Sequence, residues 1–102
     1  MRSGTVASPA TSSGRTIRFW MAESQFQQGK NREAANEFLE VYKSAPNGRK
    51  APDALMKLGV SLAALGERDA ACATFSEMQN KFPDVAPIVR DRTAREAKKA
   101  GC

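Results

Sequence analysis

Residues 50–75 read KAPDALMKLGVSLAALGERDAACATF, and the punctuation of this stretch decides the fold. Pro52 stands at a first helical turn, where its missing N–H removes no helical hydrogen bond. Apolar and small residues then run to Leu65. Gly66 supplies the left-handed residue that commonly ends a helix. A second helical stretch, about Arg68–Lys81, carries Ala71 and Phe75 and stops before Pro83, which cannot continue it. Two helices joined by so short a turn must lie antiparallel, so the stretch predicts a helix hairpin.

Working upstream, residues 19–46 read FWMAESQFQQGKNREAANEFLEVYKSAP and repeat the same order. Aligning Gly29 with Gly66 is a displacement of 37 residues. It places Met21 on Leu58, Ala22 on Gly59, Ala34 on Ala71, Phe38 on Phe75, Val41 on Met78 and Pro46 on Pro83. Small, large and punctuating residues recurring in register mark a stacked repeat. An unrelated bundle of helix hairpins, the competing reading, would need no such register. Helix A of the first unit is expected over about Arg15–Gln28 and helix B over about Asn31–Ser44. Ala22, Gly59, Ala34 and Ala71 allow close approach within each hairpin, and Phe38 and Phe75 fill the groove between its helices.

Downstream, a fifth helix over about Ala86–Ala100 has a narrow stripe of Val89, Thr93, Ala97 and Ala100. Charged residues cover its other side, as a capping helix requires. At the other end Met1–Gly14, MRSGTVASPATSSG, lacks apolar periodicity and the apolar core of a signal peptide. It is expected to be a disordered linker or an expression remnant. The fold class expected is therefore all-α: antiparallel helix hairpins stacked as about two repeats (15–48 and 52–85) plus a capping helix (86–100), within a domain of residues 15–102.

A chain of 102 residues with 41% hydrophobic and 26% charged residues allows one small domain. The count of zero His excludes Ser-His-Asp and Cys-His catalysis and any zinc site built on imidazole. Cys72 and Cys102 alone cannot complete a tetrahedral metal site. GKNRE and GERDAA are helix-turn sequences rather than phosphate cradles. No enzyme activity, cofactor or metal is expected. The apolar runs Phe19–Ala22 and Leu62–Leu65 are too short to span a bilayer.

The net charge of +5 arises from Arg2, the Arg49-Lys50 pair and residues 84–102. There Arg90, Arg92, Arg95, Lys98 and Lys99 face only Asp84, Asp91 and Glu96. Asp91–Arg95 and Arg92–Glu96 are spaced as i,i+4 pairs, the pattern of a solvated face. No aromatics interleave with these cations, so nucleic acid is not the expected partner.

The repeat resembles the tetratricopeptide repeat. A large then a small residue stands in helix A, Gly at the turn, Ala then an aromatic in helix B, then Pro. The usual period is about 34 residues, and the surplus here falls in the loop around Asn47–Ala51. A closer resemblance lies in the words themselves. The Phe19-Trp20 pair, the Gly29 turn and the Ala34-Ala35-x-x-Phe38-Leu39-x-Val41-Tyr42-Lys43 run are similar to the C-terminal domain of the Tol-Pal system protein, the cell division coordinator (CpoB) family. So are Lys50-Ala51-Pro52-Asp53, the Leu58–Gly66 run and Asp69–Thr74; the final Gly-Cys fits some members. Relative to that family the chain is expected to lack the coiled coil, the signal peptide and the first of three repeats. The outer face of its first helix is then free to pair with another chain, including a second copy as a homo-oligomer. The resemblance implies a periplasmic scaffold that binds the periplasmic domain of TolA. It also implies a link to a class A penicillin-binding protein that coordinates septal peptidoglycan synthesis with outer-membrane constriction. The alternatives are a secretion chaperone or an outer-membrane assembly lipoprotein built from such hairpins.

In such a stack the A helices line the concave surface. The expected stripe is Thr16, Phe19, Glu23, Phe26 and Gln27 in the first unit and Asp53, Met56, Val60, Ala63 and Ala64 in the second. Phe19, Glu23, Phe26, Gln27, Met56, Val60 and Ala63 are the candidate partner-binding residues, since an apolar strip with polar neighbours suits a helix or extended segment. The competing reading packs Phe19 and Phe26 against a missing repeat or a second chain. Trp20 is expected in the core. Finally, the short connection at Phe82–Ala86 makes the fifth helix antiparallel to helix B, which returns its C-terminal end to Cys72. A Cys72–Cys102 disulfide is expected on that geometry and suits an oxidising compartment. The alternative is a buried thiol at Cys72 and a frayed one at Cys102.

Overall fold

The structure is a computed structural model that describes residues 11–102, with side chains from Ile17 onward. Residues 1–10 of the linker expected over Met1–Gly14, and the side chain of Thr16, lie outside the described residues, whereas residues 11–14 of it are helical. Five helices follow in chain order: α1 (Thr11–Gln27), α2 (Asn31–Ser44), α3 (Ala51–Ala64), α4 (Arg68–Lys81) and α5 (Pro87–Lys99). All are α-helical, and no strand occurs among the described residues.

The register seen in the sequence is physical. Helices α2 and α4 have the expected bounds and 14 residues each. The turn before each is built identically. Gly29 and Gly66 both have φ of 81°. The Gly29 N–H donates to Phe26 O and the Lys30 N–H to Gln25 O. At the equivalent places Gly66 N–H donates to Ala63 O and Glu67 N–H to Leu62 O, all four within 2.8–3.0 Å. A residue with a Cβ resists this conformation, so glycine sets where each A helix stops.

Helix α3 begins at Ala51, which puts Pro52 in its first turn, and Pro87 likewise opens α5. Helix α1 begins at Thr11, four residues before the expected start at Arg15. Once its packed part is formed, each added residue gains a hydrogen bond without a new nucleation cost. Low apolar content therefore does not stop the helix there.

Helix α3 is central: it packs on α2 and on α4, and α5 closes the stack against α4 and α3. The small residues act as expected. Ala22, Ala34 and Ala71 are fully buried, and Phe38 and Phe75 fill the hairpin interiors. Gly59 faces the Phe75 ring so closely that a Cβ there would lie 2.5 Å from Cε1. Thr93 anchors α5: it is fully buried and its hydroxyl donates to Val89 O at 2.8 Å. Gly101, with φ of 89°, turns the chain after α5. Cys102 thereby reaches Cys72, to which it is disulfide-bonded with Cα atoms 5.5 Å apart.

Candidate functional site

Helices α2 and α4 share the outer side of the stack, where polar side chains join them. Arg32 meets Glu67 at 3.5 Å, and Tyr42 accepts from Lys81 at 3.0 Å while donating to Glu77 at 3.4 Å. The opposite side is made by α1, α3 and α5, and a groove of about 230 Å³ runs between them. Glu23, Phe26 and Gln27 form its α1 wall, Lys57 and Val60 its α3 wall, and Arg92 its α5 wall. Val60 also lines a second concavity of about 390 Å³ with Ala63, Ala64, Arg68, Glu96 and Lys99. The two form one surface along α3.

Electrostatics divides this surface. Lys57 is paired with Glu23 on α1, and the two side chains are only 16% and 20% exposed. Asp53 reaches the same ammonium from one turn away at 3.9 Å. Lys57 also stands 5.3 Å from the Phe19 ring centroid. A cation so enclosed is held by carboxylates and an aromatic face together. At the other end Glu96 pairs with Lys99 at 3.6 Å. The Asp91–Arg95 and Arg92–Glu96 pairs expected from spacing do not form: Lys99 takes Glu96, and Arg92 turns to the groove wall.

A family model for the tetratricopeptide repeat matches residues 17–48 and again 53–84. The chain belongs to the tetratricopeptide repeat family. No curated protein and no solved structure gave a significant match. Domains of this family are generally non-enzymatic modules for protein–protein interaction. The partners of this tetratricopeptide repeat domain are accordingly proteins. No described helix is long and apolar enough to cross a membrane.

The structure redistributes the expected strip of this repeat domain. Glu23, Phe26, Gln27 and Val60 come together in the groove, and Ala63 lies in its continuation. Phe19 and Met56 do not line it: each is 1% exposed. Phe19 packs edge-on against Phe38 at 5.7 Å within its own hairpin, so neither a partner nor a missing repeat is needed to cover it. Trp20, expected in the core, is instead 56% exposed. In the repeat register Trp20 corresponds to Lys57, which in α3 points across to the preceding A helix. Helix α1 has no such neighbour among the described residues, and Lys50 covers Trp20 only in part, at 5.2 Å from its ring centroid. Ile17 and Met21 are exposed on the same outer face.

Sequence reasoning missed Lys57 and Arg92. The signal for Lys57 was its place beside Met56, since a helix that buries position 56 must turn position 57 toward its neighbour. Arg92 stands next to the buried Thr93 and was hidden by an attractive i,i+4 spacing to Glu96.

Proposed function

We propose that this repeat domain is a non-enzymatic scaffold that holds a segment of a partner protein in the groove between α1, α3 and α5. One observation carries this: Phe26 and Val60 form a short apolar strip in a groove whose other lining residues, Glu23, Gln27, Lys57 and Arg92, are polar, on the side where α1 and α3 face each other. Such a strip with polar neighbours accepts an amphipathic helix or an extended segment.

The finer reading places the domain in the Tol-Pal cell-envelope system. There it would bind the periplasmic domain of TolA and coordinate peptidoglycan synthesis by a class A penicillin-binding protein with outer-membrane constriction during cell division. Its support is the resemblance in words over residues 19–46 and 50–75. A periplasmic location is consistent with the Cys72–Cys102 disulfide, because disulfides persist in oxidising compartments. The alternative is another tetratricopeptide-repeat adaptor, a secretion chaperone or an outer-membrane assembly lipoprotein.

Calorimetric titration of the oxidised chain with the periplasmic domain of TolA tests the finer reading. Saturable one-to-one binding, weakened about tenfold by Phe26→Ala or Val60→Ala, is expected for side chains that anchor a segment. No heat from a folded helical sample would retire TolA as the partner. Binding that ignored both substitutions would move the site away from the groove.

A further inference from the structure

We infer that the groove selects a segment carrying both apolar and acidic side chains, with an apolar side chain on Phe26 and Val60 and an Asp or Glu carboxylate on Arg92. This rests on the reading of the groove as the partner-binding face and adds the chemistry of what binds there.

The inference comes from which charges are already satisfied. Both carboxylates lining the surface are engaged, Glu23 by Lys57 and Glu96 by Lys99. Asp53, which does not line it, adds to the Lys57 pair. Arg92 on α5 has no carboxylate within 4.0 Å among the described residues, yet it forms the α5 wall of the groove. Arg68, at the far end of the same surface, reaches only the fully exposed Asp69, at 4.0 Å. Two guanidinium groups therefore remain at the two ends of an apolar floor of Val60, Ala63 and Ala64. A planar guanidinium offers paired donors that match a carboxylate. A cation beside apolar surface is also a filter, because a basic segment would be repelled there. Phe26 and Val60 supply contact area, and Arg92 supplies the sign of the charge accepted.

Selection from a displayed library of random peptides, with the oxidised chain as bait, tests this without prior choice of sequence. Enriched peptides are expected to pair Leu, Phe or Ile with Asp or Glu. Synthesised copies should lose binding about tenfold to Arg92→Glu, keep most of it with Arg92→Lys, and weaken as salt rises. Val60→Asp should abolish it. Arg92 is exposed, so both variants at that position should retain wild-type helicity by circular dichroism. Enriched peptides that were neutral or basic, or indifferent to Arg92→Glu while lost with Val60→Asp, would overturn the acidic specificity and leave the groove standing. Peptides binding equally with free and amidated C termini assign the carboxylate to a side chain; a requirement for the free terminus would overturn that assignment. Failure to enrich any peptide sensitive to Val60→Asp would overturn the groove reading as well.

Discussion

At Gly59 the difference between one hydrogen and a methyl group is decisive. Helix α3 crosses α4 at this point, and the Phe75 ring occupies the space a Cβ would need. Gly59→Ala is therefore expected to destabilise the domain by about 1–3 kcal/mol, the usual cost of overpacking a tight core. Urea denaturation followed by circular dichroism would measure it. Gly29→Ala is a contrasting case, since nothing lies within 4 Å of its missing Cβ. Its cost is the left-handed backbone alone, about 1 kcal/mol. Ser61 offers the opposite sign: its hydroxyl is buried between helices and has no hydrogen-bond partner. Ser61→Ala should be neutral or stabilising by up to about 1 kcal/mol, because an unpaired buried hydroxyl is removed. These positions show how far residue types can be read directly. Ala22, Gly59, Ala34 and Ala71 announced close approach because small residues recur there in the repeat register; alanine alone does not, since Ala70 and Ala73 are exposed. Trp20 misled because size and hydrophobicity suit a core and an interface equally, and among the described residues no helix packs over it.

Among the elements, α1 and α3 are tied by the enclosed Glu23–Lys57 pair, which also shapes the groove wall. Glu23→Gln leaves the ammonium with Asp53 at 3.9 Å. Because both side chains keep some exposure, the expected loss is about 1–2 kcal/mol rather than the full cost of a buried orphan charge. Lys57→Met keeps an apolar stem on Phe19 but leaves the enclosed Glu23 carboxylate with no cation, so it should cost at least as much as Glu23→Gln. A Glu23→Gln and Lys57→Met double-mutant cycle by chemical denaturation would expose their coupling. Helix α5 depends on a different tie. Its packing rests on a thin apolar stripe around Thr93, and the disulfide closes a separation of 30 residues. Reduction, or Cys72→Ala with Cys102→Ala, is expected to cost about 2–4 kcal/mol. Amide hydrogen exchange should then rise first in α5, and Arg92 would lose its fixed place on the groove wall. The bounds of α2 and α4 were legible because Gly and Pro punctuate them. The start of α1 was not, because helix propagation through Ser and Thr leaves no apolar pattern.

For the whole molecule, the repeat register links sequence to architecture. Equivalent residues make equivalent turns, and α3 buries itself between its neighbours as a middle helix of a stack should. The fold was therefore legible in residues 19–83, where Ala22, Ala34, Phe38, Val41 and Pro46 recur as Gly59, Ala71, Phe75, Met78 and Pro83. The groove was legible only in part. Helical periodicity identified the side of α1 and α3 but left its rotation uncertain by about one residue, which separates buried Phe19 and Met56 from exposed Trp20 and groove-lining Lys57. Arg92 depends on how α5 docks, which involves contacts distant in sequence. The most direct test of the groove as the partner-binding face is an amide chemical-shift titration of the isotope-labelled, oxidised chain with the selected peptides. Shifts are expected to concentrate at Glu23–Gln27, Lys57–Ala64 and around Arg92. Shifts concentrated instead at Ile17, Trp20 and Met21, or along α2 and α4, would contradict it.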